Sequence, residues 1–226
     1  GGGRRPKPGE ISLATGGILF LDELPEFSRA ALETLRQPLE DREVTVSRVE
    51  ATVTYPANFQ LVAAMNPCPC GHFPDLARCR CTEGQITRYL QKISGPMLDR
   101  IDLCVEASPV TYGDIRGGGE NEASGAIRAR VEQAREIQKE RFMEENIRCN
   151  GEMAGRHIRK YCVLGKEEET FMEEIFEKLA LSARMHDRIL KVARTTADLA
   201  GASEIRLSDL CEAVSYVKSR EKFWGN

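Results

Sequence analysis

Gly16-Gly17-Ile18-Leu19-Phe20-Leu21-Asp22-Glu23 sets the frame for everything around it. Four apolar residues in a row, bounded by glycine on one side and acid on the other, predict a short strand buried on both faces. The Asp-Glu pair then falls where that strand ends. In open parallel sheets, ligands gather at the carboxyl ends of strands. Two adjacent carboxylates there suit two separate tasks. One holds a Mg2+ that bridges nucleotide phosphates, and the other orients or deprotonates a water. This is a Walker B pattern. A buried strand followed by an acidic helix start has the same appearance, so the flanking residues have to decide.

Downstream, Ser28 stands as an N-cap before a helix with Leu32, Leu35 and Leu39 on one face. Two β-branched runs surround Ser47-Arg48-Val49-Glu50 and predict a hairpin over residues 44–55. Arg48 is the only cation in that tip, and Glu50 would oppose any phosphate it held. Residues 60–65 read as a second buried strand that ends at Asn66. An amide there, beside the acids of the first strand, can touch a γ-phosphate or the attacking water. Asn66-Pro67 also reads simply as the start of a turn. Thr82-x-x-Gln85 is a capping box that opens a helix through Ile86, Leu90 and Ile93. Residues 101–105 read as a third apolar strand. Residues 106–124, with Gly117-Gly118-Gly119, read in part as a flexible linker and a domain boundary.

From about residue 122 onward the pattern is helical. Ile127, Val131 and Ala134 form one stripe, and Phe171, Ile175 and Leu179 another. Ser182 caps a helix with Met185, Ile189, Val192 and Leu199 inward and Gly201 just past its end. Ser208-Asp209 opens a last helix with Leu210, Val214 and Val217.

A chain of 226 residues has room for one large or two small domains with real cores. Charged residues make up 30%, yet the net charge is only −3, so any nucleic-acid contact has to be local. No apolar run is long enough to span a membrane, and no signal peptide is visible. Gly1-Gly2-Gly3 looks like a cut inside a longer protein. It is not a phosphate loop, which needs G-x-x-x-x-G-K-[ST]; the one Gly-Lys, Gly165-Lys166, is followed by Glu167. The chain carries a Walker B without a Walker A. Eight cysteines in a charge-rich chain point to a reducing cytoplasm, with thiols or metal ligands in place of disulfides. Cys68-x-Cys70 and Cys79-x-Cys81 stand eight residues apart. Four thiolates at that spacing suit one tetrahedral Zn2+, with His72 as an alternative ligand. The other reading is a loop of free thiols, which would be an oxidation liability.

Several of these segments together resemble one family. They are Gly9-Glu10-Ile11-Ser12-Leu13-Ala14, Leu19–Phe27 with its Asp-Glu-Leu-Pro-Glu, Leu35-Arg36-Gln37-Pro38-Leu39-Glu40-Asp41, Ala64-Met65-Asn66-Pro67-Cys68-Pro69-Cys70-Gly71, Gly95-Pro96-Met97-Leu98-Asp99-Arg100-Ile101-Asp102 and Leu181-Ser182-Ala183-Arg184. In this order they resemble the magnesium-chelatase-like AAA+ ATPases of the ComM/YifB type, over almost the whole chain. The resemblance implies an α/β fold. Residues 1–110 would be the C-terminal part of an AAA+ P-loop ATPase core, a parallel sheet with a β-hairpin insertion. Residues 122–226 would be an all-α lid domain. The Walker A half and a Lon-protease-like region would lie upstream, and this stretch alone would be inactive.

The resemblance also implies roles. Asp22 and Glu23 would be the Walker B pair and Asn66 sensor 1. Arg100 would be an arginine finger reaching the ATP of a neighbouring subunit, a task for a fixed planar cation. Arg184 would be the sensor 2 arginine, with Arg188, one turn on, as second choice; a solvated helix face is the plain alternative. ATP and Mg2+ would be the cofactors. Proteins of this type are associated with cytoplasmic hexameric rings that migrate branched DNA in natural transformation. The hairpin would then point into the ring's pore with Arg48 on a phosphate. A motor that remodels a protein or drives metal chelation is the alternative, and a zinc-bearing interaction module without enzymatic activity is a third.

Overall fold

The computed structural model of the chain describes residues 4–108, 110, 112–116 and 122–224. They form two compact units. The first holds the chain up to Asp102 and again from Glu221 onward; the second is Leu103–Arg220.

In the first unit the order is α1 (Glu10–Leu13), β1 (Ile18–Leu21), a 3-10 turn (Leu24–Glu26), α2 (Arg29–Thr34), α3 (Arg36–Asp41), β2 (Glu43–Ser47), β3 (Thr52–Pro56), β4 (Gln60–Ala63), α4 (Glu83–Leu90) and α5 (Gly95–Leu98). β1 and β4 pair in parallel, from Ile18↔Gln60 to Leu21↔Ala63. Parallel neighbours need a long crossover, and here it carries α2, α3 and the β2–β3 hairpin. That hairpin is antiparallel, closing at Ser47↔Thr52, with Thr–Thr and Ser–Thr hydroxyl pairs across it (Thr45–Thr54, 2.9 Å; Ser47–Thr52, 2.8 Å). Ser28 caps α2 by accepting from the Ala31 N–H at 3.2 Å. Thr82 and Gln85 form the expected capping box on α4. Leu24, Leu32, Leu35, Ile93, Met97 and Leu98 make the core, with Leu19, Leu21 and Trp224 packed against it. The Trp224 indole donates to the Leu90 carbonyl at 3.2 Å.

Two expectations need correction here. β1 is buried on one face only: Ile18 is 62% and Phe20 58% exposed, while Leu19 and Leu21 turn to the core. An apolar run does not reveal how many faces are covered, and helices cover one face of this two-stranded sheet. Residues 101–105 form no strand, because among the described residues nothing hydrogen-bonds to them as a ladder. Within the expected linker, α6 (Tyr112–Arg116) is helical; Gly117, Gly118 and Gly119 lie outside the described residues.

The second unit continues with α7 (Ser124–Arg141), a 3-10 turn (Asn150–Glu152), α8 (Gly155–Tyr161), α9 (Lys166–Lys178), α10 (Ala183–Leu199) and α11 (Leu207–Trp224), whose end from Glu221 belongs to the first unit. Its core includes Met172, Ile175, Met185, Ile189, Leu210 and Val214. Ser182 caps α10 through the Met185 N–H, and Gly201 takes φ +65° past its end, where a Cβ would be strained. Leu199, expected inward, is 38% exposed. The buried face of α10 also holds polar groups. Asp198 accepts from Arg141 (2.7 and 2.5 Å), Asn150 (2.8 Å) and Arg194 (3.1 Å), and Arg194 also donates to the carbonyls of Ser203 and Ala202.

Candidate functional site

The parallel register brings the ends of β1 and β4 together. The Ala64 N–H donates to the Leu21 carbonyl (2.9 Å) and the Leu24 N–H to the Ala64 carbonyl (3.0 Å). Asp22 and Glu23 therefore follow one strand and Asn66 its neighbour, at the same end of the sheet, and all three are exposed. Glu23 sits in the left-handed region, φ 51° and ψ 48°, with its N–H on Asp22 Oδ1 at 2.9 Å. That conformation costs about 1–2 kcal/mol for a residue with a Cβ. Strain held at a strand end is a common mark of a functional position. An all-oxygen donor set of this kind suits a hard cation such as Mg2+.

Immediately beyond Asn66 lies the cysteine loop. Cys68, Cys70, Cys79 and Cys81 place their sulfurs within 4.8 Å of one another. Three of the Sγ pairs are 3.4, 3.8 and 3.6 Å apart. A tetrahedron with Zn–S near 2.3 Å has edges of about 3.8 Å, so the four sulfurs fit one Zn2+. Backbone N–H groups already face them: Phe73 N–H lies 3.4 Å from Cys68 Sγ. Those of His72 and Arg80 pull the Cys70 thiol down to about 6, which favours the thiolate a metal needs. Burial, and then the Cys70 sulfur, push Cys81 up to about 12. Four sulfurs this close cannot all ionise without a cation between them. His72 is exposed and is not among the four residues whose ligand atoms gather there. Burial, and then nearby negative charges that include Glu26 and Glu23, raise the Tyr89 phenol on α4.

Arg100, just past α5, lies against α3. Its Nη1 donates to the Pro96 carbonyl at 2.6 Å and its Nη2 pairs with Glu40, while its buried Nε has no hydrogen-bond partner. With Glu33, Arg36, Gln37 and Asp41 it lines a small cleft. Glu33 is held below the usual carboxylate range, first by the Ser94 hydroxyl and then by Arg36. Two of the quoted sequence segments thus meet here, and the Glu40 partner, 60 residues away, was not visible in the sequence. Arg184 is exposed on the first turn of α10 and Arg188 half-buried one turn on. At the hairpin tip Arg48 Nη1 donates to the Ser47 carbonyl at 2.9 Å. Arg48 is not the only cation there. Arg5 pairs with Glu50 at 2.8 Å and Arg4 approaches it at 3.7 Å, so the acid that opposed a phosphate contact is neutralised from the far end of the unit's sequence.

Known proteins match along nearly the whole chain. The family described as magnesium chelatase, subunit ChlI, covers residues 1–115, and the magnesium chelatase, subunit ChlI C-terminal family covers residues 121–217. Competence protein ComM of Haemophilus influenzae is 48% identical over 217 residues, which is 96% of this chain and 42% of that protein. The uncharacterized protein YifB of Escherichia coli is 46% identical over the same coverage. An uncharacterized protein of Mycobacterium tuberculosis, Rv2897c, is 38% identical over 216 residues. The chain thus spans 42% of the length of these relatives.

Proposed function

Because the chain belongs to the magnesium chelatase ChlI family and is of the ComM/YifB type, we propose that it forms part of an AAA+ ATPase that works on DNA as a hexameric ring in the cytoplasm. The observation that carries the ATPase half is the shared strand end, with Asp22 and Glu23 after β1 and Asn66 after the parallel β4. Asp22 would hold Mg2+ on the ATP phosphates, where the cation neutralises charge that develops on phosphoryl transfer. Glu23 orients and deprotonates the water. Asn66 hydrogen-bonds to that water or to the γ-phosphate. Arg100 acts on the nucleotide of the adjacent subunit, and Arg184, or Arg188 one turn later, reaches it from a lid formed by the second unit. In this reading residues 1–110 are the partial core and 122–226 the lid. The four cysteines hold a structural Zn2+. The DNA half rests on the competence role in the name of one relative and on Arg48 at the tip of the hairpin.

ATP turnover by the full-length protein, with and without DNA, tests this reading. Turnover should rise with DNA. Glu23→Gln should retain ATP binding and lose at least about a hundredfold in rate, since only the water-activating carboxylate is removed. Turnover that ignores DNA would favour a protein-remodelling or chelatase-type motor. Near-normal turnover in Glu23→Gln would remove Glu23 from the chemistry.

A further inference from the structure

The loop between β4 and α4 is too poor in apolar side chains to hold itself. From Pro69 to Thr82 no residue is buried, and Leu76 at its far end is 82% exposed. Within the loop only the four sulfurs converge, and Cys68 alone is fully buried. This loop nevertheless begins at Asn66. One residue, Pro67, separates Asn66 from the first sulfur ligand. Proline fixes its own φ and confines the residue before it to extended backbone, so the link from Cys68 to Asn66 has little freedom. The chain then folds back. The Gly71 N–H donates to the Cys68 carbonyl at 3.0 Å, and Gly71 takes φ +78°. Its backbone passes so close that a Cβ there would lie 3.7 Å from Asn66 Oδ1. At the other end, Cys81 runs directly into the Thr82 cap of α4.

From this arrangement we infer that a Zn2+ bound by Cys68, Cys70, Cys79 and Cys81 sets the position of the Asn66 amide, so that metal occupancy governs the rate of ATP hydrolysis and not ATP binding. The inference rests on the reading of Asn66 as a residue that touches the γ-phosphate or the water. The metal replaces the missing hydrophobic core of the loop: ligands from two short segments are drawn onto one ion, and the rigid Asn66-Pro67-Cys68 link carries that fixation to the strand end. The cysteines act here as positioning residues. Without the ion the loop keeps its two anchors, β4 and α4, but the amide samples many orientations.

The test uses the full-length protein in three states: zinc-loaded, stripped with a thiol-directed mercurial and chelator, and Cys79→Ser. Metal analysis should give about one zinc per chain in the loaded state, and replacement by Co2+ should give the sulfur-to-metal absorption of a tetrahedral thiolate site. Stripping should speed hydrogen exchange at the Gly71 and Phe73 amides. It should lower kcat at least about tenfold, while ATP Kd stays within about threefold. Cys79→His, which keeps a ligand, should recover metal and rate. Asn66→Ala in the loaded protein should show the same loss in kcat, and stripping it should cost nothing more. A zinc-free wild-type protein with protected Gly71 and Phe73 amides would overturn the metal clamp and leave the role of Asn66 standing. Stripping that slows Asn66→Ala as much as wild type would overturn the route through Asn66. If Asn66→Ala turns over normally, both this inference and the role assigned to Asn66 fall. The stripped wild-type protein decides the matter if Cys79→Ser does not fold.

Discussion

Replacing Asp198 with Ala should lower the unfolding free energy by about 3–5 kcal/mol, the usual result of removing one partner from a buried charge network. The Asp198 side chain is fully buried and accepts four hydrogen bonds, two from Arg141, one from Asn150 and one from Arg194. Truncation leaves the Arg194 guanidinium, with a side chain 3% exposed, and that of Arg141, 14% exposed, without their anion. Two desolvated cations then face each other across the space the carboxylate filled, and water reaches them poorly. For a unit of this size each kcal/mol is worth about 4–8 °C, so the transition should fall by at least about 12 °C. Urea unfolding followed by circular dichroism measures the change, at low salt and at 1 M NaCl. Asp198→Asn, which keeps the volume and part of the hydrogen bonding, should fall between Ala and wild type. Arg141→Met combined with Asp198→Leu should cost less than the two separate losses added together. A loss below about 1 kcal/mol, or one that high salt abolishes, would mean that the network behaves as a screened surface pair.

Arg100→Ala in the full-length protein should fold and bind ATP yet lose hydrolysis; mixing it with Glu23→Gln subunits should restore some turnover if Arg100 acts across the interface, and no recovery at any ratio would count against that geometry. Arg48→Ala should weaken DNA binding equally across sequences and reduce the salt slope of log K by about one per lost phosphate contact, and an unchanged slope would place the contact elsewhere. Glu145 accepts from Lys160 (2.8 Å) and the Tyr161 hydroxyl (2.9 Å), which hold its carboxyl down to about 2. Its folded value lies below the unfolded one of about 4.3, so its contribution is complete above that pH and fades as pH falls towards 2. Glu145→Gln should flatten the stability profile in that window, and an unaltered acid limb would show that the contact does not persist in solution.

What was legible in the sequence was local. The caps at Ser28, Thr82 and Ser182 depend on side chains three residues from the N–H they accept, and each is present. The two C-x-C pairs announced their sulfur cluster because all four cysteines fall between residues 68 and 81. What could not be read was pairing at long range. Nothing in Glu50 names Arg5, 45 residues away, and nothing in Asp198 names Arg141, 57 residues away. The strand expected at 101–105 failed for a related reason. Apolar and β-branched residues favour an extended chain, but a strand also needs a neighbour to bond with. For Leu199 the apolar period pointed inward, yet it is 38% exposed, while the buried face of the same helix takes in Arg194 and Asp198. Periodicity finds a buried face and does not say that the face is apolar.

The left-handed backbone at Glu23 bears on how this protein would respond to selection for stability. Glycine and asparagine adopt φ near +51° more readily than glutamate, so either should relax the turn after β1 by up to about 1 kcal/mol. A thermostability screen that does not measure turnover is therefore expected to enrich Glu23→Gly and Glu23→Asn. A screen that requires activity should purge the same two changes. Position 23 would then be where the two kinds of library diverge first, and a sturdier protein recovered there would be one that had given up its carboxylate.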